Sequence, residues 1–153
     1  MLRLNRCLMI IIATVAVMIN NAEAGQVKGV SEMSDALIVY ETIAREASDN
    51  YDDYLGVAYT IRNRVLLGWS KSYREACLKP FQYSCWNQGV EQVERTPEQI
   101  SMAKDAFDFV LSSKSDFPAT HYHHENISPS WASSPQMKYL CTISKHRYYQ
   151  EIR

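Results

Sequence analysis

The chain has 153 residues, enough for one domain of ordinary size and no more. An apolar share of 46% with 22% charged residues suits a globular core. The formal net charge of −1 leaves no polycationic tail, which excludes nucleic acid as an expected partner.

The first 24 residues read as a signal peptide. Arg3 and Arg6 precede the apolar run Cys7 to Ile19, and Ala22-Glu23-Ala24 supplies a small-residue site, with cleavage expected before Gly25. The run is shorter than the roughly 20 residues of a membrane span, so membrane contact is expected through this segment alone. Of 16 basic and 17 acidic residues, Arg3, Arg6 and Glu23 leave with it; 14 basic and 16 acidic remain, a net charge of −2. The expected product is an exported monomer, periplasmic or extracellular. Export gives cysteine pairing a meaning. Cys77, Cys85 and Cys141 remain after Cys7 is lost. Sequence alone does not fix connectivity, and the near pair Cys77–Cys85 is the first expectation for a disulfide.

The mature chain begins with a polar lead-in. Ser34 then stands as an N-cap with Asp35 in the first turn. Ala36, Tyr40, Ile43, Ala44 and Ala47 recur at helical spacing. Glu46 falls three residues after Ile43 and seven after Val39, so it borders the apolar stripe. The polar turn Ser48–Asp53 leads to a second helix from about Tyr54 to Leu67, with Tyr54, Ala58, Ile61 and Val65 on one face. Gly68 is placed to end it. Arg62, Asn63 and Arg64 form a polar cluster within it. Ser72 to Leu78 has room for one or two helical turns.

Residues 79–89 break the pattern and read as a loop bounded by Pro80 and Gly89. Gln82 and Tyr83 suit ligand contact there, whereas Phe81 and Trp86 fit equally well as core plugs. Thr96-Pro97-Glu98-Gln99 is a capping box, and Ile100, Ala103, Phe107, Val110 and Leu111 form the stripe of a third long helix. Residues 119–124 have strand composition. Residues 126–135 form a loop with Pro129, Trp131 and Pro135. Tyr139 to Ile143 is a second strand, expected to pair with the first, and Ser144 to Tyr149 follows it.

Three groups could carry chemistry. Glu46, at the edge of a buried stripe, could act as a carboxylic acid on a glycosidic bond. A conventional glycosidase needs a second carboxylate about 5–9.5 Å away; Asp49, Asp52 and Asp53 are candidates, none with a compelling position. A lytic transglycosylase needs only one Glu, acid first and then base. The second group is the cluster His121, His123 and His124; His121 and His123 share one face of a strand and with His146 could make a three-His zinc site or line a polar groove. The third is Cys85 as a nucleophile, although a loop cysteine in an oxidising compartment suits a disulfide better.

Four stretches, in order, resemble the SleB-like cell wall hydrolase family. They are Ile43-Ala-Arg-Glu-Ala47 with Gly56 to Val65, Phe81-Gln-Tyr-Ser-Cys85, Ala119-Thr-His-Tyr-His123 with Ser130-Trp131, and Thr142 to Tyr149. Together they span nearly all of residues 25–153. The chain differs from the usual family pattern at Ala44-Arg45, where Tyr-Gly precedes the glutamate, and at Asn50, where a second acid often stands. The resemblance implies an α+β, mostly helical, lysozyme-like single domain with a small antiparallel β element. It also implies that Glu46 matches the catalytic glutamate, that peptidoglycan glycan strands are the partner, and that neither metal nor cofactor is needed. The expected activity is cleavage of the MurNAc–GlcNAc bond by a lytic transglycosylase. Gln82, Tyr83, His121, His123, Trp131, His146 and Tyr148 are the expected substrate contacts. The competing readings are a zinc-dependent wall hydrolase on the His cluster and a non-catalytic wall-binding module.

Overall fold

Four helices begin where a side chain caps them. Helix α1, Asp35–Glu46, opens on Ser34, whose hydroxyl accepts from the Leu37 N–H at 3.2 Å. It buries Ile38, Val39, Ile43 and Ala44. Helix α2, Tyr51–Leu66, starts three residues earlier than the apolar pattern suggests, because Asn50 caps it by accepting from the Asp52 N–H at 2.9 Å. Gly68 at φ +75° ends that stretch, as expected. Helix α3, Tyr73–Leu78, is a short piece capped by Ser72. Helix α4, Pro97–Ser112, carries the capping box: Thr96 and Gln99 exchange side-chain and backbone bonds at 3.0 and 3.3 Å. The computed structural model describes residues 29–87, 89–90 and 93–153; the expected signal peptide lies outside the described residues.

The core lies between α1, α2 and α4, with α3 packed across α1 and α2. Among the described residues, no helix is long and apolar enough to cross a membrane. This mostly helical α+β arrangement agrees with the expected fold class.

The β element departs from expectation in its pairing. Strands β1, His121–His124, and β2, Met137–Ile143, do not pair with each other. A third strand, β3, His146–Glu151, lies between them and pairs antiparallel with both. Ser144, at φ +51°, makes the tight turn that returns β2 into β3. Hydropathy hides β3, because its inward positions are His146 and Tyr148, polar residues whose polar atoms are satisfied inside the fold.

Those two residues seat the sheet on α2. Gly56 leaves the space: a Cβ there would meet the Tyr148 ring at 2.5 Å. The Tyr148 hydroxyl then donates to Asp53 Oδ1 at 2.6 Å. Gly56→Ala should improve helix propensity by up to about 1 kcal/mol. The clash with a fully buried ring opposes this and costs about 1–3 kcal/mol. The clash prevails because Tyr148 has no exit. Urea unfolding of Gly56→Ala should therefore show net destabilisation; a midpoint above the parent's would contradict this packing.

Candidate active site

Glu46 is the last residue of α1, half-buried where the helix gives way to the Ala47–Asn50 turn. Two distant segments hold its carboxylate. Oε1 accepts from the Cys85 backbone N–H at 2.8 Å and from the Ser84 hydroxyl at 3.1 Å. Both lie in the short 3-10 turn Ser84–Trp86. Oε2 accepts from the Tyr122 hydroxyl at 2.9 Å, from β1. Burial, then the Glu46 charge, holds the Tyr122 phenol well above its usual range, so it stays protonated as a donor.

Each support is itself anchored. The turn is pinned to α1 by Trp86, whose indole N–H donates to Thr42 Oγ1 at 2.8 Å. The approach to β1 is pinned by the polar cluster of α2. Asn63 Nδ2 donates to the Phe117 and Ala119 carbonyls, both at 2.8 Å, and Arg64 Nε to the Thr120 carbonyl at 2.9 Å. The Arg-Asn-Arg run thus serves as a clamp on the strand that carries Tyr122.

Behind Tyr122 lies a buried polar network. Its ring contacts those of His146 and Tyr148, at centroid distances of 5.1 and 5.5 Å. His146 Nδ1 lies 2.8 Å from Asp53 Oδ2, which also accepts the Ser48 N–H at 2.7 Å. Asp53 is 0% exposed. Burial pushes its pKa up, but the bonds from His146, the Ser48 amide and Tyr148 outweigh that and hold it below the usual carboxylate range.

The expected site residues fall into separate groups. His146 and Tyr148 stand in the network just described, buried under the sheet instead of on a groove wall. Tyr83 is likewise inside, 1% exposed, bonded to Thr60 at 3.2 Å; burial raises its phenol to about 12. His121 and His123 point to the other face of the sheet. There Trp131 meets both rings, at 5.2 and 5.6 Å. His123 also sits against Tyr149, its Nε2 3.1 Å from the hydroxyl. Strand alternation explains the split: β1 pairs His124 with His146 and Tyr122 with Tyr148, leaving His121 and His123 opposite. The sheet therefore stands between His146 and the pair His121–His123, and the three cannot share one metal. Among the described residues no cluster of three or more metal-ligating side chains occurs. Gln82 is partly exposed beside His121 on the wall of a cavity. Phe81, with φ +62°, is 90% exposed and plugs nothing.

The cysteines depart from expectation. Cys77, Cys85 and Cys141 are all thiols, so the Cys77–Cys85 bridge is not formed. Burial raises Cys77 to about 12. Burial, then the Glu46 carboxylate, raises Cys85 further still. A raised thiol pKa disfavours the thiolate that a nucleophile needs.

The two departures from the family pattern also find places. Arg45 turns away from the Glu46 carboxylate: it bonds Glu41 at 2.8 Å and the Val93 carbonyl at 2.9 Å, over the Trp86 ring. Asn50 serves as the cap of α2.

The family model described as Cell Wall Hydrolase matches residues 48–149, which is 102 of 153 residues. The chain belongs to that family. It is an enzyme acting on the cell wall, with peptidoglycan as substrate. The matched segment holds Ser84, Cys85 and Tyr122, the three residues that hold the carboxylate, and begins two residues after Glu46 itself. None of the curated proteins and none of the solved structures matches the chain.

Tyr122 and Ser84 were not among the expected site residues. The period-2 pattern of β1 holds the missed signal, since it puts Tyr122 on the face opposite His121 and His123. Tyr122→Phe keeps the ring and removes one bond to Glu46. Wall-lytic activity should fall about 10- to 100-fold, with a melting temperature close to the parent's. Unchanged activity would mean that this bond does not orient the acid.

Asp53 has a pH signature. Its folded pKa lies below the ordinary aspartate value of 3.8, so its stabilisation is complete above that value and is lost as pH falls through the folded pKa. Asp53→Asn should cost about 1–3 kcal/mol at pH 7 and should flatten the stability profile below about pH 4. Urea titrations at several pH values measure both.

Proposed function

We propose that the enzyme is a lytic transglycosylase that cleaves the MurNAc–GlcNAc bond of peptidoglycan with Glu46 as its single catalytic carboxyl. One observation carries the reading. Glu46 is held at both oxygens at the mouth of the loop–strand junction, while Asp53, seven residues on, has both of its oxygens committed inside the core. A hydrolase needs a second carboxylate to act on water or on the sugar. Of the three candidates, Asp53 is closed to that role by burial, which leaves a hydrolase only the exposed Asp49 and Asp52.

The cradle suits a group that changes protonation state. Oε1 faces a fixed backbone donor, the Cys85 amide, so the acid proton belongs on Oε2. There the Tyr122 hydroxyl can rotate between donating and accepting. In the first step the carboxyl gives its proton to the glycosidic oxygen, the C1–O4 bond breaks, and GlcNAc leaves with a free 4-hydroxyl. In the second, the carboxylate takes the proton from the 6-hydroxyl of MurNAc while O6 bonds to C1 and closes the 1,6-anhydro ring. Glu46 ends protonated and no water is consumed. Gln82, His121 and Trp131 are partly exposed and remain candidates for direct glycan contact. His146, Tyr83 and Tyr148 support the site from within, while His123 packs on Tyr149 at the other face of the sheet. The segment 1–24 directs export, and the enzyme works as a monomer in the periplasm or outside the cell.

The test is digestion of purified peptidoglycan with mass analysis of the products. Anhydro ends, lighter by one water than reducing ends, are expected. Glu46→Gln should lower turnover by about 10²–10⁴-fold. Reducing ends would turn the proposal into a hydrolase, and chelator-sensitive clearing that survives Glu46→Gln would move the chemistry to a metal.

A further inference from the structure

A cavity of about 320 Å³ is lined by Arg64, Trp69, Lys79, His121, Glu151 and Arg153 among others, and Glu46 is not one of its walls. Three cations and one carboxylate leave it at +2, because His121 is neutral: burial, then the Arg64 charge, lowers that imidazole to about 4. Two of its donors are unspent. Arg64 is 5% exposed, and its Nη1 has no acceptor. Trp69 Nε1 is also buried without one. The rest of Arg64 is committed, with Nε on the Thr120 carbonyl at 2.9 Å and the guanidinium over the Tyr83 ring at 5.0 Å. Arg64 is therefore held in place through Nε and its ring contact while Nη1 is buried without an acceptor. An unmatched buried donor is unfavourable, more so when charged, so two at one cavity point to an acceptor that arrives from outside. Glu151 does not fill that role, since its Oε1 takes the Arg153 Nε at 3.0 Å. Lys79 and Arg153 are exposed at the rim over Trp69, with Lys79 Nζ on the Trp69 carbonyl at 3.3 Å and the Arg153 guanidinium 4.7 Å from the ring.

We propose that this cavity binds a carboxylate of the peptidoglycan stem peptide, with Arg64 Nη1 and Trp69 Nε1 as donors and Lys79 as the outer charge. The assignment rests on peptidoglycan being the substrate. A monoanionic, planar acceptor matches one guanidinium N–H and one indole N–H. At about 30 Å³ per water, the volume holds far more than a bare ion, which suits a carboxylate attached to an amino-acid residue. The cavity lies across Tyr83 from the catalytic carboxylate: Tyr83 packs on Arg64 and on Tyr122, with a ring distance of 6.4 Å to the latter.

The test is calorimetric titration of Glu46→Gln protein, which should not turn over substrate. The ligands are a disaccharide–tetrapeptide with free carboxyls and the same fragment with those carboxyls amidated. The free acid should bind about tenfold tighter or more. Trp69→Phe, which keeps the packing and removes one N–H, should cut that preference to threefold or less. Lys79→Gln, at an exposed position, should reduce it as well and covers the case in which Trp69→Phe fails to fold. Equal binding of the two fragments, no binding of the free acid, or a preference untouched by both substitutions overturns the proposal. Turnover does not enter the measurement. Should Glu46→Gln still clear peptidoglycan, the catalytic reading fails while the preference for the free acid can stand.

Discussion

Asp53 is a charge with no water around it, and its desolvation has to be matched by bonds from the protein. Those bonds come from three places: the Ser48 amide at the α1–α2 turn, His146 and the Tyr148 hydroxyl on β3. Satisfying one carboxylate thereby fixes the exit of α1, the start of α2 and the centre of the sheet relative to one another. Glu46 lies two residues before Ser48 on the same turn, and Tyr122 pairs directly with Tyr148. The position of the Glu46 carboxylate and that of its phenol donor are thus set by the same buried ion.

The arrangement divides labour between two acids of similar intrinsic chemistry. Asp53 is sealed and saturated, so it can act only by holding its neighbours. Glu46 is half-buried and touched by hydroxyls that can rotate, so it can exchange a proton with a ligand. The difference comes from environment, not from residue type. His146 belongs with Asp53 in this scheme, and its burial under the sheet explains why it cannot join His121 and His123 around a metal.

Much of this was legible in the sequence. Ser34, Gly68 and the Thr96–Gln99 box mark helix ends by local bonds, and local bonds do not need the rest of the fold to be known. The border position of Glu46 followed from helical spacing. What stayed hidden depends on distant partners. β3 carries its inward-facing groups as His146 and Tyr148, which look like surface residues until Asp53 is placed against them. Tyr122 was passed over in favour of its histidine neighbours because alternation tells which residues share a face, not which face meets the helices. Proximity in sequence suggested a Cys77–Cys85 bridge, whereas the fold places Cys77 in the helical core and uses the Cys85 backbone to hold Glu46.

The order of the sheet has a consequence for how the enzyme comes into being. β3 is the last element in sequence and the middle strand in space, and its contact with Asp53 closes a span of 93 residues. Contacts this remote form late, after local helices have already condensed. A chain that has made α1 but not yet inserted β3 presents Glu46 without an ordered phenol behind it.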